Sequence, residues 1–224
     1  MQDNGRAAEN GALANTGEGK TFGYYLSRVI SYVFHPFLMP FYMVLFLFVT
    51  NLVPLYLTLS VKRYLVSVII INTICVPAIA VILMRLMGLI KDYSLSTRHD
   101  RTLPLIIVAL CYGLCGWMLA DIPALFLVRR CMYAAMGATI FAMVVNFWWQ
   151  ISLHMTAIGG AVGIVFILFY GGYYNLIWLL CAAILSAGAL GTARLYLRKH
   201  DLAQVGYGFL GGFCICVLII LLST

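Results

Sequence analysis

A polytopic bundle of transmembrane α-helices is the fold class this sequence predicts, and three observations predict it. Hydrophobic residues make up 64% of the 224 positions and charged residues 9%, too little charge to coat a soluble domain. Several stretches reach the roughly 20 apolar residues that a hydrocarbon core of about 30 Å demands. Short alternating segments divided by regularly spaced turn residues, the mark of a membrane barrel, are absent. The expectation is an all-α chain with about six to seven spans and an N-terminal interfacial helix, forming one domain over 21–224.

The elements follow in order. Residues 1–20 (MQDNGRAAENGALANTGEGK) are small, polar and aperiodic, which predicts a disordered tail, and they lack the apolar core and cleavage site of a signal peptide. Residues 21–36 mix aromatics with Arg28 and His35 and predict an interfacial amphipathic helix. A first span is expected over about 37–58, with Lys62 and Arg63 at the turn, and a second over about 64–90, kinked at Pro77. A polar loop, KDYSLSTRHDRTLP, runs from Lys91 to Pro104. Further spans are expected at about 104–120, 124–149, 152–172, 174–196 and 202–222, with Trp148 and Trp149 at an interface where aromatic belts sit.

Charge placement narrows the function. The net charge is +7, and all seven acids (Asp3, Glu9, Glu18, Asp92, Asp100, Asp121 and Asp201) lie in the tail or at segment ends. Ion-coupled carriers commonly bind their coupling ion on a carboxylate within a span, so this pattern argues against one. No convincing internal repeat signals an inverted-repeat transporter. The seven cysteines are scattered through apolar stretches without metal-site spacing and read as small hydrophobes.

Three polar clusters interrupt the apolar pattern: Lys91 to Arg101, Ser152 to His154, and Arg194 to Gln204. Two expected spans separate each from the next, so all three return to one face of the membrane. Arg98, Arg101 and Arg194 offer planar forks that match phosphate oxygens. Ser152 stands at a helix N-cap position with His154 in the first turn, where free N–H groups and the helix dipole favour an anion. His154 and His200 supply a nucleophile and a general acid; as a metal set they are too few. His200 and Gln204, four apart, share a helix face, so Gln204 is placed to orient the imidazole. Arg194 and His200, six apart, converge only if the helix breaks between them.

Each feature also has a plainer reading. Loop arginines set topology, and because the proposed ligands are themselves basic, the positive-inside count does not decide which side the clusters face. His35 beside Pro36 reads as an interfacial residue, Arg129 and Arg130 as helix-end anchors, and the glycines at 159, 160, 163, 206, 208, 211 and 212 as packing sites.

The ordered clusters resemble the three motifs of the type 2 phosphatidic acid phosphatase superfamily of membrane lipid phosphatases. Lys91 and Arg98 have the spacing of its first motif, with His99 where Pro is expected; Arg101 with Pro104 is a looser match. Ser152-Leu153-His154 matches Ser-Gly-His with Leu153 for Gly, and Arg194, His200 and Gln204 match Arg-x5-His-x3-Asp with Gln for Asp. The likeness covers roughly residues 85–215. It implies Lys91, Arg98 and Arg194 as phosphate binders, His154 as general acid and His200 as nucleophile, acting on a lipid-linked phosphomonoester or pyrophosphate without metal or cofactor. Gln204 cannot stabilise an imidazolium by charge as an Asp does. The expected partners are a lipid phosphate and the bilayer, with no nucleic acid, in a bacterial inner membrane. Two alternatives stand beside it: an inactive relative that binds anionic lipid as a scaffold, and a small transporter or flippase with a basic phosphate site.

Overall fold

The computed structural model of the chain describes residues 21–53, 57–90 and 98–223; the expected tail at 1–20 and Lys91 lie outside the described residues. In hydrocarbon every backbone N–H and C=O has to be satisfied within the chain, and helices do this locally. Seven stretches are accordingly helical, long and apolar enough to cross a membrane: 22–49, 59–86, 98–118, 123–146, 153–170, 177–196 and 202–222. The described residues contain helices and no strands.

The first stretch is broken. Helix α1 (Phe22–Val33) and helix α2 (Met39–Val49) are joined through a short 3-10 turn at Pro36–Leu38. α1 turns Ser27 and Ser31 inward and leaves Phe22, Val29 and Tyr32 exposed. Near its start Gly23 lies against the ring of Tyr196, and near its end the Ser31 carbonyl meets His154. Both ends of α1 thus meet residues at the same end of the bundle, the end that carries the polar clusters.

The second stretch is α3 (Leu59–Ile70) and α4 (Val76–Leu86), continuous through a π-turn at Ile71–Cys75. Pro77 has no N–H to give its preceding turn, and the wider π-turn just before it absorbs the mismatch. Asn72 fills part of the opened ladder by donating to the Val68 carbonyl at 2.9 Å. The remaining helices are α5 (Arg98–Met118), α6 (Phe126–Asn146), α7 (Leu153–Tyr170), α8 (Ile177–Tyr196) and α9 (Leu202–Leu222).

Two boundaries differ from expectation. The helix that ends at Val49 is shorter than the span read over 37–58. α5 is already helical at Arg98, the first described residue of that segment, so Arg98 and Arg101 stand on a helix and not in a loop, with Pro104 inside it. A proline there leaves the first turns short of a ladder bond. Separately, buried Asn146 ties α6 to the start of this helix by donating to the Arg98 carbonyl at 2.9 Å, and the Thr102 hydroxyl donates to the same carbonyl at 3.3 Å.

The tightest seam joins α7 to α9. Gly159 and Gly163 on one helix face Phe209 and Phe213 of the other, while Gly208 and Gly212 face Ser152 and Thr156. A Cβ at Gly163 would stand 2.7 Å from the Phe213 carbonyl oxygen, so backbone meets backbone. Without a hydrophobic drive between helices in lipid, such close van der Waals approach is what holds them. The seam also carries a bond from Ser152 N–H to the Gln204 carbonyl at 3.3 Å, which ties two of the polar clusters together.

Candidate functional site

The break that Arg194 and His200 require is present and has a definite form. α8 ends in a Schellman turn: Arg198 N–H donates to the Leu195 carbonyl at 2.9 Å and Lys199 N–H to the Arg194 carbonyl at 3.2 Å. The turn needs a left-handed residue, and Arg198 takes that place with φ 49°. Three residues on, Asp201 starts α9 as its N-cap, accepting from Gln204 N–H at 2.7 Å. Gln204 answers by accepting the Asp201 N–H at 3.4 Å, which completes a capping box.

The same Gln204 oxygen lies 2.8 Å from Nδ1 of His200. An oxygen that accepts a backbone N–H is the carbonyl oxygen of the amide, so the imidazole nitrogen facing it is the one that carries the proton. Nε2 of His200 therefore keeps its lone pair. Burial, and then the charges of Arg194 and Arg101, push the His200 pKa down to about 4, against the opposing pull of Gln204 and Asp201. His200 is neutral at physiological pH.

On α7, Ser152 occupies the N-cap position with extended backbone, but its hydroxyl makes no capping bond. It is fully buried and its Oγ has no partner among the described residues. His154 follows in the first turn. Its Nε2 lies 3.2 Å from the Ser31 carbonyl of α1, and a carbonyl only accepts, so Nε2 holds the proton of the neutral ring and Nδ1 is free to exchange one.

α5 separates the two arginines of the first cluster by depth. Arg98, at the helix end, is exposed and donates to the Trp148 carbonyl at 2.7 Å. One turn deeper, Arg101 is buried and reaches the Ile151 carbonyl at 3.3 Å. Both arginines thus bond the α6–α7 connection, Arg98 from the surface and Arg101 from the interior.

These residues meet around a cavity of about 230 Å³. Arg101, His154, Arg194 and His200 line one end of it, and Gln204 stands behind His200. Ser152 and Arg98 do not line it. Among the described residues no carboxylate lines it either, so the charged and titratable groups at this end are arginines and imidazoles. Arg194 has a buried Nε with no partner among the described residues. Two arginine forks beside a largely apolar space are the groups here that could hold an anion. Among the described residues no group of three or more His, Cys, Asp or Glu is arranged to hold a metal ion.

One lining residue was not anticipated. His35, at the joint between α1 and α2, lines the same end, its ring edge-to-face with His154 at 5.6 Å between centroids. Its Nδ1 accepts the Phe37 N–H at 3.3 Å and caps the 3-10 turn, which leaves the proton on Nε2. The signal available in the sequence was His-Pro at a helix joint, where a histidine that caps the turn is held in a fixed rotamer. No protein-family model, curated protein or solved structure matches this chain.

Proposed function

We propose that the protein is an integral membrane lipid phosphatase that hydrolyses a lipid-linked phosphomonoester or pyrophosphate through a phosphohistidine. The observation that carries this reading is the convergence of Arg101, Arg194, His154 and His200 on one cavity whose remaining wall is largely apolar. The resemblance of the three clusters to the lipid phosphatase motifs supports it, and the seven apolar stretches support a multi-pass membrane protein. A location in a bacterial inner membrane belongs to the same proposal.

The chemistry follows from the hydrogen bonds. His200 donates Nδ1–H to Gln204 and attacks phosphorus with the Nε2 lone pair; a P–N bond forms as the bond to the leaving oxygen breaks. Arg101 and Arg194 balance the charge on the phosphoryl oxygens. His154 donates to the Ser31 carbonyl through Nε2, so Nδ1 is the nitrogen placed to pass a proton to the leaving oxygen, a step that requires the ring to enter the reaction protonated on both nitrogens. Water then attacks phosphorus, His154 takes up its proton through Nδ1, and the P–N bond breaks to release phosphate and restore neutral His200.

The second reading rests on Gln204. Its capping-box role explains the residue without catalysis, which suits an inactive relative that binds anionic lipid. Phosphate release from a panel of lipid phosphates, with chelator present, separates the two. The expected result is release by the purified protein that is lost in His200→Ala while the variant stays folded. Equal background from both proteins would remove the enzyme reading for the lipids tested.

A further inference from the structure

The cavity continues inward from its basic end. Along α5 the lining residues are Arg101, Leu105, Val108 and Tyr112, spaced to share one helix face. From Arg101 to Tyr112 that face descends roughly 16 Å at 1.5 Å per residue, about half of a ~30 Å hydrocarbon layer. At the inner end Tyr112 is joined by Cys131 of α6 and Cys216 of α9.

Small side chains make the space. Ala135, Ala138 and Ala142 of α6 and Ala157 and Ala161 of α7 all line it. Elsewhere in this bundle small residues draw helices into contact, as along the α7–α9 seam. Where α6 and α7 face α2 and α5 they leave a void, whose walls lose dispersion contacts unless something fills it. At about 230 Å³ the space is smaller than the ~300–1,000 Å³ of typical small-molecule sites, which suits one narrow chain and not two. One end is cationic and the rest largely apolar, so the occupant is an amphiphile with an anionic head.

We infer that the cavity threads a single apolar chain of a phosphorylated lipid into the bundle interior, with the phosphate at Arg101 and Arg194 and the chain end near Tyr112, Cys131 and Cys216. The inference rests on the phosphate reading of the basic end given above. The substrate class is thus a phosphorylated lipid with at least one slender acyl or prenyl chain, and the depth of the shaft sets how much of that chain the protein measures.

The test uses dodecyl phosphate with a photoreactive diazirine at the far end of the chain, added to the purified His200→Ala protein so that binding is read without turnover. After irradiation, mapping by mass spectrometry should place the label on Tyr112, Cys131 or Cys216. Excess plain dodecyl phosphate should reduce it at least tenfold, and a butyl phosphate carrying the same group should not reach those residues. Label confined to Leu110, Leu114 and Trp117, on the exposed side of α5, would mean the chain stays in the surrounding lipid or detergent and would overturn the proposal. Equal labelling by the matching diazirine alcohol would overturn the phosphate-anchored form of it. Ala138→Phe, which narrows the shaft, should cut labelling by the dodecyl probe at least tenfold without affecting labelling by the butyl one; unchanged dodecyl labelling would count against the shaft. Interior labelling in a protein that releases no phosphate would retain this inference while removing the enzymatic one.

Discussion

Exchanging Gln204 for Glu tests the orienting role of that side chain with little change of shape. Gln204 Oε1 lies 2.8 Å from His200 Nδ1 and 3.4 Å from Asp201 N, and a glutamate at the third helical position keeps the capping box intact. What changes is one unit of negative charge beside the imidazole. Unit charges about 4 Å apart at an effective dielectric of ~20 attract by about 4 kcal/mol, equivalent to about 3 pKa units at 1.36 kcal/mol each. Observed shifts from a single opposite charge are roughly 1–3 units. His200, held down to about 4, should therefore titrate at roughly 5–7 in Gln204→Glu. The sign is fixed: the neutral nucleophile dominates above its pKa, so the acid limb of phosphate release moves to higher pH. Above that limb the variant should be faster, by about tenfold for each 1.4 kcal/mol of attraction gained as positive charge develops on the ring. The titration can be followed without turnover by the pH dependence of diethyl pyrocarbonate modification at His200, mapped by mass spectrometry. An acid limb and modification profile that do not move would refute the contact as an electrostatic handle on His200.

Other predictions follow from geometry. Arg101→Ala should weaken binding of a non-hydrolysable alkyl phosphonate by about 10- to 100-fold, on the ~1.5–3 kcal/mol scale of a charged hydrogen bond, measured by calorimetry in detergent. Arg98→Ala should leave that affinity within about twofold, the sensitivity of a residue outside the contact. Gly212→Val pushes a side chain into the Thr156 carbonyl and should cost at least ~1–3 kcal/mol as an overpacking change, lowering the thermal unfolding midpoint. Gly206→Ala, whose Cβ meets nothing within 4 Å, should shift stability by less than ~1 kcal/mol. Arg198→Gly should relieve a left-handed cost of ~1–2 kcal/mol against an entropy loss of ~0.5–1 kcal/mol, so the midpoint should rise slightly; a clear fall would count against the Schellman turn.

The spans were legible because hydrocarbon imposes length and apolarity on any sequence that crosses it, and the number of crossings places the clusters on one face. The details that decide the site depend on quantities a linear pattern does not carry. Spacing does not distinguish Arg98 from Arg101, which lie on similar faces of α5 and differ in depth by one turn, and Pro104 hid that both stand on a helix. The turn between Arg194 and His200 was expected only as a requirement, since its left-handed position is filled by Arg198 where glycine would have announced it. His35 and His154 are 119 positions apart and meet because α1 crosses the cluster end of the bundle. The void that α6 and α7 line has no sequence signature separate from close packing: alanines at Ala135 and Ala138 and glycines at Gly159 and Gly163 read alike, and only the partner surface decides whether helices close on them.

The glycine seam between α7 and α9 bears on how a lipid would gain entry. A contact made of backbone has no rotamers to exchange, so these helices either touch or separate altogether. Across the cavity, Met39, Pro40 and Met43 of α2 and Val81 of α4 form the facing wall, where unbranched methionines can rearrange without moving their helices. The molecule therefore has a fixed jamb and a soft leaf. His154 and Gln204 are anchored on the jamb, so under the proposed phosphatase reading a variable tail would be accommodated at the leaf while His154 and His200 keep their spacing. On the proposed reading, substitutions that broaden the range of tails would belong on α2 and α4, and those that alter the chemistry on α7 and α9.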